Sequence, residues 1–316
     1  MPLYPELQPF HQFRLAVDEV HSLYVEQCGN PRGQPVVVLH GGPGGGCSPA
    51  LRRFFNPDHW HIILFDQRGA GRSTPRGCLV NNTTADLRDD LEVLRQTLNI
   101  DRWYLFGGSW GATLALYYAQ CFPARVAGLV LRGVFLGRQQ DLDWLYRGGA
   151  ARLQPQAWEA FLSPLDDSEH ADPLQAYYRR LHGASGTDAE QLAGAWAQWE
   201  AVCSTLTPSP LVERGFAANS LPLARIETHY FVEHCFLQAH PLLDNMNRIS
   251  DVPGIVVHGR YDLVCPVEQS HQLCQRWPAA ELRVIPAAGH SVREPGIEQA
   301  LLEAVADMAR TGGTDP

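Results

Sequence analysis

The chain has 316 residues, of which 45% are hydrophobic and 19% charged, so it can bury a full core as one large domain or two ordinary ones and is not a disordered chain. Its 25 basic and 34 acidic residues give a formal charge of −9 without a basic cluster, which argues against a nucleic-acid partner. No apolar run approaches the roughly 20 residues that a membrane crossing needs.

The N-terminus and the cysteines bear on the cellular compartment. Residues 1–15 lack the basic start and the apolar core of a signal peptide. The eight cysteines are scattered without a CxxC pair, which is typical of reduced thiols, with a disulfide framework as the alternative. We therefore expect a cytoplasmic protein.

The first part of the chain predicts strands that alternate with helices. Residues 11–27 alternate as strands do, and short β-branched runs follow at 35–40, 61–66, 103–107 and 126–134. A helical period starts after Thr84, the predicted N-cap, and the apolar residues after Ser109 predict a buried helix that Pro123 stops. This alternation indicates an α/β fold with a mostly parallel sheet.

The pattern changes between about 138 and 240, where β-branched runs give way to Trp, Ala, Gln and Leu at helical spacing. The predicted helices of this segment are 143–153, 157–162, 173–181, 189–202 and 224–237. Strands return at 254–258 and 280–286. The sequence therefore predicts a catalytic α/β domain, formed by residues 1–137 and 241–316, with an inserted all-helical cap at 138–240.

Residues 107–111 read GGSWG between a predicted strand and a predicted helix. This is the G-x-S-x-G pattern in the context of a nucleophile elbow. A sharp turn there strains the serine and exposes its Oγ, and small neighbours let the strand and helix approach each other. We interpret Ser109 as a nucleophile; a purely structural glycine-rich turn is the alternative.

A serine nucleophile needs a base, and the base needs a carboxylate to orient it. On this architecture both follow the serine, the acid before the histidine. Asp262 comes just after one predicted strand and His290 just after the last one, so this pair fits both position and order. Asp251 and His258 are weaker candidates, because one precedes its strand and the other lies inside it.

The glycine-rich stretch HGGPGGG, residues 40–46, follows the strand at 35–40. Backbone N–H groups of such a loop can stabilise an oxyanion, and we predict the amides of Gly42 and Trp110 for this role. The stretch is not a phosphate-binding loop, because the required Gly-Lys-Ser/Thr does not follow it. A flexible loop without a catalytic role is the remaining alternative. Asp66 in DQRGAGRS is interpreted as a turn stabiliser. No metal or cofactor is expected, since HYFVEH fits no zinc pattern.

Two predicted cap helices place aromatic and acidic residues on one face. Glu200 follows two tryptophans at helical spacing, and Glu227 precedes Tyr230 and Phe231 in the same way. On spacing alone, the aromatics belong to the core of the cap and the glutamates to solvent. The functional alternative is an acidic, aromatic lid for a cationic substrate with an apolar ring.

Taken together, the motifs HGGPGGG, DQRGAGRS, GGSWG, ARIETHYF, HGRYD and AGHS closely resemble the proline iminopeptidase (prolyl aminopeptidase) family, serine peptidases of the α/β-hydrolase fold. The resemblance extends from about residue 10 to 305. It implies release of an N-terminal proline from a small peptide, with Ser109, Asp262 and His290 as catalytic residues. It also implies that Glu200 and Glu227 bind the free amine and that Phe135, Tyr146 and Phe231 line the proline pocket.

Two other functions fit the same scaffold. An esterase or other acyl hydrolase would use the same nucleophile and would need no carboxylate pair in its lid. A non-catalytic ligand receptor on a hydrolase fold is the other alternative, and the complete Ser-His-Asp set argues against it.

Overall fold

Eight strands form one sheet in the computed structural model of the protein, which describes residues 2–311. They are β1 (His11–Ala16), β2 (Ser22–Gly29), β3 (Gln34–Leu39), β4 (Trp60–Phe65), β5 (Trp103–Gly108), β6 (Val126–Arg132), β7 (Gly254–Gly259) and β8 (Ala280–Ile285). Their order in the sheet is β1-β2-β4-β3-β5-β6-β7-β8. Only the two pairs that involve β2 are antiparallel within these residues, which confirms the mostly parallel sheet.

Helices cover both faces of the sheet. These helices are α1 (Thr84–Thr97), α2 (Trp110–Cys121), α9 (Glu268–Gln275) and α10 (Pro295–Thr311). In β3, Val37 and Leu39 belong to the same buried hydrophobic cluster as the apolar residues of α2. Val36 and Val38 belong to a second cluster, together with the apolar residues of α10. Successive side chains of a strand point to opposite faces, so a strand covered on both sides reads as a continuous apolar run.

The segment between β6 and β7 is helical. It contains α3 (Gln139–Tyr146), α4 (Pro155–Leu162), α5 (Pro173–Gly183), α6 (Gly186–Ser204), α7 (Pro210–Ala217) and α8 (Ser220–Val232). Residues 139–249, all of which the structure describes, contain no strand. None of the helices in residues 2–311 combines the length and the apolar character that a bilayer crossing needs.

Two helix predictions are wrong in extent. The helix predicted over 143–153 is interrupted, because α3 ends at Tyr146 and Gly148 has a φ of +96°. The helix predicted over 224–237 ends at Val232, since Cys235 adopts a φ of +56° between two further left-handed residues. The helical period continues in the sequence at both places, but residues with positive φ interrupt the helix there. Helix α7 was not predicted at all.

The predicted N-cap of α1 is wrong by one residue. Thr83 is the cap, and its side chain accepts a hydrogen bond from the amide of Asp86. The Thr84 hydroxyl instead donates to the carbonyl of Cys235, 2.5 Å away. This contact joins α1 to the turn after α8, and a long-range contact of this kind leaves no local signal in the sequence.

Candidate active site

Ser109 lies in the turn between β5 and α2, with φ 58° and ψ −126°. A side chain at Gly111 would place its Cβ 2.1 Å from the carbonyl oxygen of Leu39, and one at Gly107 would place it 2.4 Å from the carbonyl oxygen of Gly111. Only glycine allows strand and helix this close. The strained turn predicted around Ser109 is therefore present.

The positive φ of Ser109 leads to a stability prediction. We expect Ser109→Gly to be more stable to unfolding than Ser109→Ala by about 1 kcal/mol, because relief of strain worth about 1–3 kcal/mol exceeds the entropy lost by glycine, about 0.5–1 kcal/mol. Urea denaturation of the two variants at one pH measures the difference. An alanine variant as stable as the glycine variant would contradict strain at this turn.

Asp262 and His290 lie on the loops that follow β7 and β8, and they contact each other. The Nδ1 atom of His290 is 2.6 Å from Oδ2 of Asp262. The other oxygen of Asp262 accepts hydrogen bonds from the amides of Val264 (3.0 Å) and Cys265 (2.7 Å). The carboxylate therefore receives several hydrogen bonds in a buried site.

The protonation of this pair suits a base held by a carboxylate. Burial alone would raise the pKa of Asp262, but the facing His290 and hydrogen bonds from His258 and His290 outweigh it, and the pKa lies well below its ordinary value. Burial lowers the pKa of His290, although Asp262 opposes the shift. At neutral pH Asp262 is therefore ionised and His290 is neutral, so its Nε2 can accept a proton.

The environment of the pair includes residues that the sequence did not single out. Gly133, with φ +52°, directly follows β6, and a Cβ there would lie 2.9 Å from Nδ1 of His290. A guanidinium nitrogen of Arg132 donates to the carbonyl of His290 at 2.9 Å. Arg132 is the last residue of β6 and Gly133 follows it, but nothing in the sequence indicates that they contact His290, some 158 positions away.

The weaker acid and base candidates have other positions. Nε2 of His258 is 3.2 Å from Oδ2 of Asp262, and its Nδ1 is 2.5 Å from the hydroxyl of Ser270. His258 therefore contacts the same carboxylate oxygen as His290, but unlike His290 it does not line the cavity that contains Ser109. Asp251 is exposed and does not line the cavity that contains Ser109.

The glycine-rich loop lies beside Ser109. A Cβ on Gly41 would be 3.4 Å from Cβ of Ser109, and Gly42, with φ +112°, lines the same cavity. Trp110 is the first residue of α2, so its amide has no acceptor within the helix. The positions of both amides are compatible with the predicted oxyanion role.

Gln67 connects this loop to the elbow. Its backbone amide donates to Nε2 of His40 at 2.9 Å, and its side-chain oxygen accepts from the indole of Trp110 at 3.0 Å. Burial lowers the pKa of His40, and its Nδ1 lies 2.9 Å from the carbonyl oxygen of Gly41. Three sequence motifs that looked separate, HGGPGGG, DQRGAGRS and GGSWG, are thus joined by hydrogen bonds through Gln67.

Asp66 stabilises the turn that follows β4. It accepts hydrogen bonds from the amides of Cys47 and Arg72, at 2.7 and 2.8 Å, and from the guanidinium of Arg72 at 2.7 Å. It does not line the cavity that contains Ser109. The structural interpretation of this residue is consistent with these contacts.

A cavity of about 370 Å³ is lined both by Ser109 and by the predicted substrate residues. The predicted site residues that line it are Gly42, Ser109, Phe135, Tyr146, Glu200, Glu227, Phe231 and His290. The remaining two lie behind the wall: Asp262 contacts His290, and the Trp110 side chain is buried against Tyr230. Residues from both the sheet and the helical segment therefore form one site.

The two glutamates are buried rather than solvated. Glu200 is 7% exposed and Glu227 is 1% exposed. The Tyr146 hydroxyl donates to Glu200, and the indole of Trp196 donates to Glu227 at 2.6 Å. Neither carboxyl has an ion-pair partner among residues 2–311. The solvent-facing alternative does not describe these side chains.

Their burial controls their protonation. Burial raises the pKa of Glu200 to about 7. Burial and the nearby charge of Glu200 raise the pKa of Glu227 well above its ordinary value. Two adjacent carboxyls without a cation cannot both ionise cheaply, so the pair retains at least one proton at neutral pH.

Aromatic side chains surround the carboxyls. The ring of Tyr146 stacks on Trp196 with centroids 4.6 Å apart. Phe231 contacts Phe135 edge-on at 5.8 Å and Tyr146 at 5.7 Å. The cavity thus offers an apolar, ring-sized wall next to a negatively charged pair, which suits a cation with an apolar body.

Comparison with known proteins identifies the family. Residues 34–295 match the alpha/beta hydrolase fold family. The proline iminopeptidase of Xanthomonas citri is 50% identical over 312 residues, which cover 97% of this chain and 99% of that protein. The proline iminopeptidase of Xylella fastidiosa (strain Temecula1) is 49% identical over 302 residues, covering 93% and 95%. The crystal structure of a proline iminopeptidase-related protein from Thermus thermophilus is 26% identical with a TM-score of 0.64, covering 95% and 98%. The chain therefore belongs to the proline iminopeptidase family of the α/β hydrolase fold.

Proposed function

We propose that the protein is a serine aminopeptidase that hydrolyses the peptide bond after an N-terminal proline and releases free proline. The observation that carries this proposal is the buried pair Glu200–Glu227, which lies in one cavity with Ser109 and His290. The strong identity to proline iminopeptidases over nearly the whole chain supports it. An esterase would have no use for a carboxyl pair that is expensive to bury.

In the proposed reaction, Ser109 Oγ attacks the prolyl carbonyl carbon while Nε2 of His290 takes the hydroxyl proton. The amides of Gly42 and Trp110 donate hydrogen bonds to the resulting oxyanion. His290 then passes the proton to the leaving nitrogen, the C–N bond breaks, and a prolyl ester of Ser109 remains. Water, deprotonated by His290, cleaves this ester and restores Ser109.

The choice of an N-terminal residue follows from charge. An N-terminal proline is a secondary ammonium with two N–H donors, one for each of Glu200 and Glu227. An internal proline has neither charge nor donor, so its binding would leave a buried negative pair without a partner. The rings of Phe135, Tyr146 and Phe231 would contact the pyrrolidine ring.

The two predicted domains have different roles in this reaction. Residues 1–137 and 241–316 form the catalytic domain, and residues 138–240 form a cap that supplies both glutamates. The cytoplasm is the proposed location. It is supported by the eight cysteines, all within the described residues, each of which is a free thiol.

A panel of aminoacyl arylamides, each with and without an N-acetyl group, tests the function. We expect prolyl arylamide to be hydrolysed and its N-acetyl form to react at least about 100-fold more slowly in kcat/KM, because acetylation removes the charge and both N–H donors. An acyl ester of similar size serves as the comparison. Turnover of the ester without turnover of the arylamide would establish an esterase, and a folded protein inactive on both would indicate a receptor.

A further inference from the structure

The active-site cavity has a closed end and an open mouth. At the closed end lie the buried carboxyls of Glu200 and Glu227. At the mouth lie exposed residues, among them Ser48, Leu211 and Arg293. If the proline ammonium is held at the closed end, as the proposed function requires, then the rest of the peptide leaves through the mouth.

One side of the mouth is an apolar face of α7. Leu211, Val212, Gly215 and Phe216 all line the cavity, and their spacing places them on one face of the helix. Among the large apolar side chains that are exposed in residues 2–311, Leu211 is the one that lines this cavity, and it is 50% exposed. An apolar group placed against it would remove this surface from water.

The mouth also carries a free cation. Arg293 is three positions after His290 and is exposed at the cavity wall. Its guanidinium makes no hydrogen bond or ion pair with any other residue in the range 2–311. A guanidinium presents donors in a fork that matches a carboxylate.

The second arginine of the cavity wall is already engaged. Arg132 donates to the carbonyl of His290, and a Cβ on Gly108 would lie only 2.4 Å from one of its terminal nitrogens. Its guanidinium is thus packed beneath the elbow. This leaves Arg293 as the cation that a substrate carboxylate can reach from the mouth.

We propose that the mouth is a binding subsite for the residue that follows the proline, in which Leu211 and Phe216 cover an apolar side chain and Arg293 pairs with the free α-carboxylate of a dipeptide. This inference rests on the proposed function. The leaving residue is absent from the prolyl ester of Ser109, so the subsite acts on formation of the ester and hence on kcat/KM. Hydrolysis of the ester does not involve it.

The carboxylate part is tested with prolyl-leucine and prolyl-leucinamide, which differ in the charge of one group. Wild-type protein should favour the free acid in kcat/KM. Arg293→Gln should lose about fivefold on prolyl-leucine and nothing on the amide. Arg214→Gln is the matched control, because this arginine lies on α7 but does not line the cavity; it should retain the wild-type ratio.

The apolar part is tested by comparing prolyl-leucinamide with prolyl-glycinamide. Leu211→Ser should reduce the preference for leucine about fivefold, whereas Leu153→Ser, at an exposed leucine outside the cavity, should not. An acid-to-amide ratio unchanged in Arg293→Gln, or lowered equally in Arg214→Gln, would overturn the carboxylate contact, and a leucine preference untouched by Leu211→Ser would overturn the apolar one.

Prolyl arylamide separates this inference from the proposed function. If wild type hydrolyses the arylamide while the ratios stay flat in the variants, the subsite is refuted and the aminopeptidase stands. If no prolyl substrate is hydrolysed at all, the aminopeptidase proposal fails, and the subsite fails with it.

Discussion

Replacement of Ser109 by alanine should lower kcat for a prolyl arylamide by about 10⁴-fold or more, because the acyl-enzyme route then has no nucleophile. The backbone of the elbow does not depend on the hydroxyl: the Ser109 amide donates to the carbonyl of Arg132 at 2.9 Å, and alanine keeps this contact. We therefore expect the loss in activity without a loss in stability. Steady-state kinetics and thermal unfolding measure the two effects.

Proline binding provides the control for this variant. Ser109→Ala retains Glu200 and Glu227, so calorimetry should detect proline with an affinity close to that of the wild type. A second control is Ser109→Ala combined with His290→Ala, which should be hardly slower than either single variant, since the two residues act as a unit. Activity within tenfold of wild type in Ser109→Ala would mean that another group attacks the substrate.

Glu200→Gln should lower kcat/KM on prolyl arylamide about 10- to 150-fold, whereas Glu227→Gln should stay within about fivefold of wild type. The reason is that the pair retains one proton at neutral pH. Glu227 is the more deeply buried of the two, so it holds the proton and resembles the glutamine amide. Glu200, whose pKa of about 7 lies near neutrality, then supplies the single negative charge that matches the single positive charge of an N-terminal proline.

Stability of the ligand-free protein checks the same assignment. The pKa of Glu200 is raised to about 7 in the folded state, so its protonated form stabilises the fold at low pH. This contribution is lost as the pH rises from the unfolded pKa, about 4.3, through 7. Glu200→Gln should therefore gain stability relative to wild type at pH 8 but not at pH 4. Equal kinetic losses in the two glutamine variants would show that both carboxylates are ionised.

Much of the catalytic scaffold was predictable from local patterns. The β-branched runs are strands of the observed sheet, because a strand covered by helices on both faces must be apolar throughout. GGSWG identified the elbow, since a turn this tight admits only glycine at 107 and 111. Chain order and strand ends selected Asp262 and His290, which lie 2.6 Å apart.

The burial of the two glutamates could not be predicted from local sequence patterns. Helical spacing placed Glu200 and Glu227 beside aromatic residues but could not distinguish a solvated face from a buried one, and the functional interpretation came from the family resemblance. Their burial arises from packing of α6, which carries Trp196, against α8 and against Tyr146 of α3, and these three helices are distant from one another in the sequence. Burial in turn raises their pKa values, which no pattern of residues reports.

The same distinction applies to the rest of the molecule. Periodicity along the chain specified which strands and helices form and which of their faces are apolar, because these depend on neighbours a few positions away. The end of α8, the contact of Arg132 with the carbonyl of His290 and the free guanidinium of Arg293 depend on groups from distant segments. Such contacts, and the charge states that follow from them, exist only once the chain has folded.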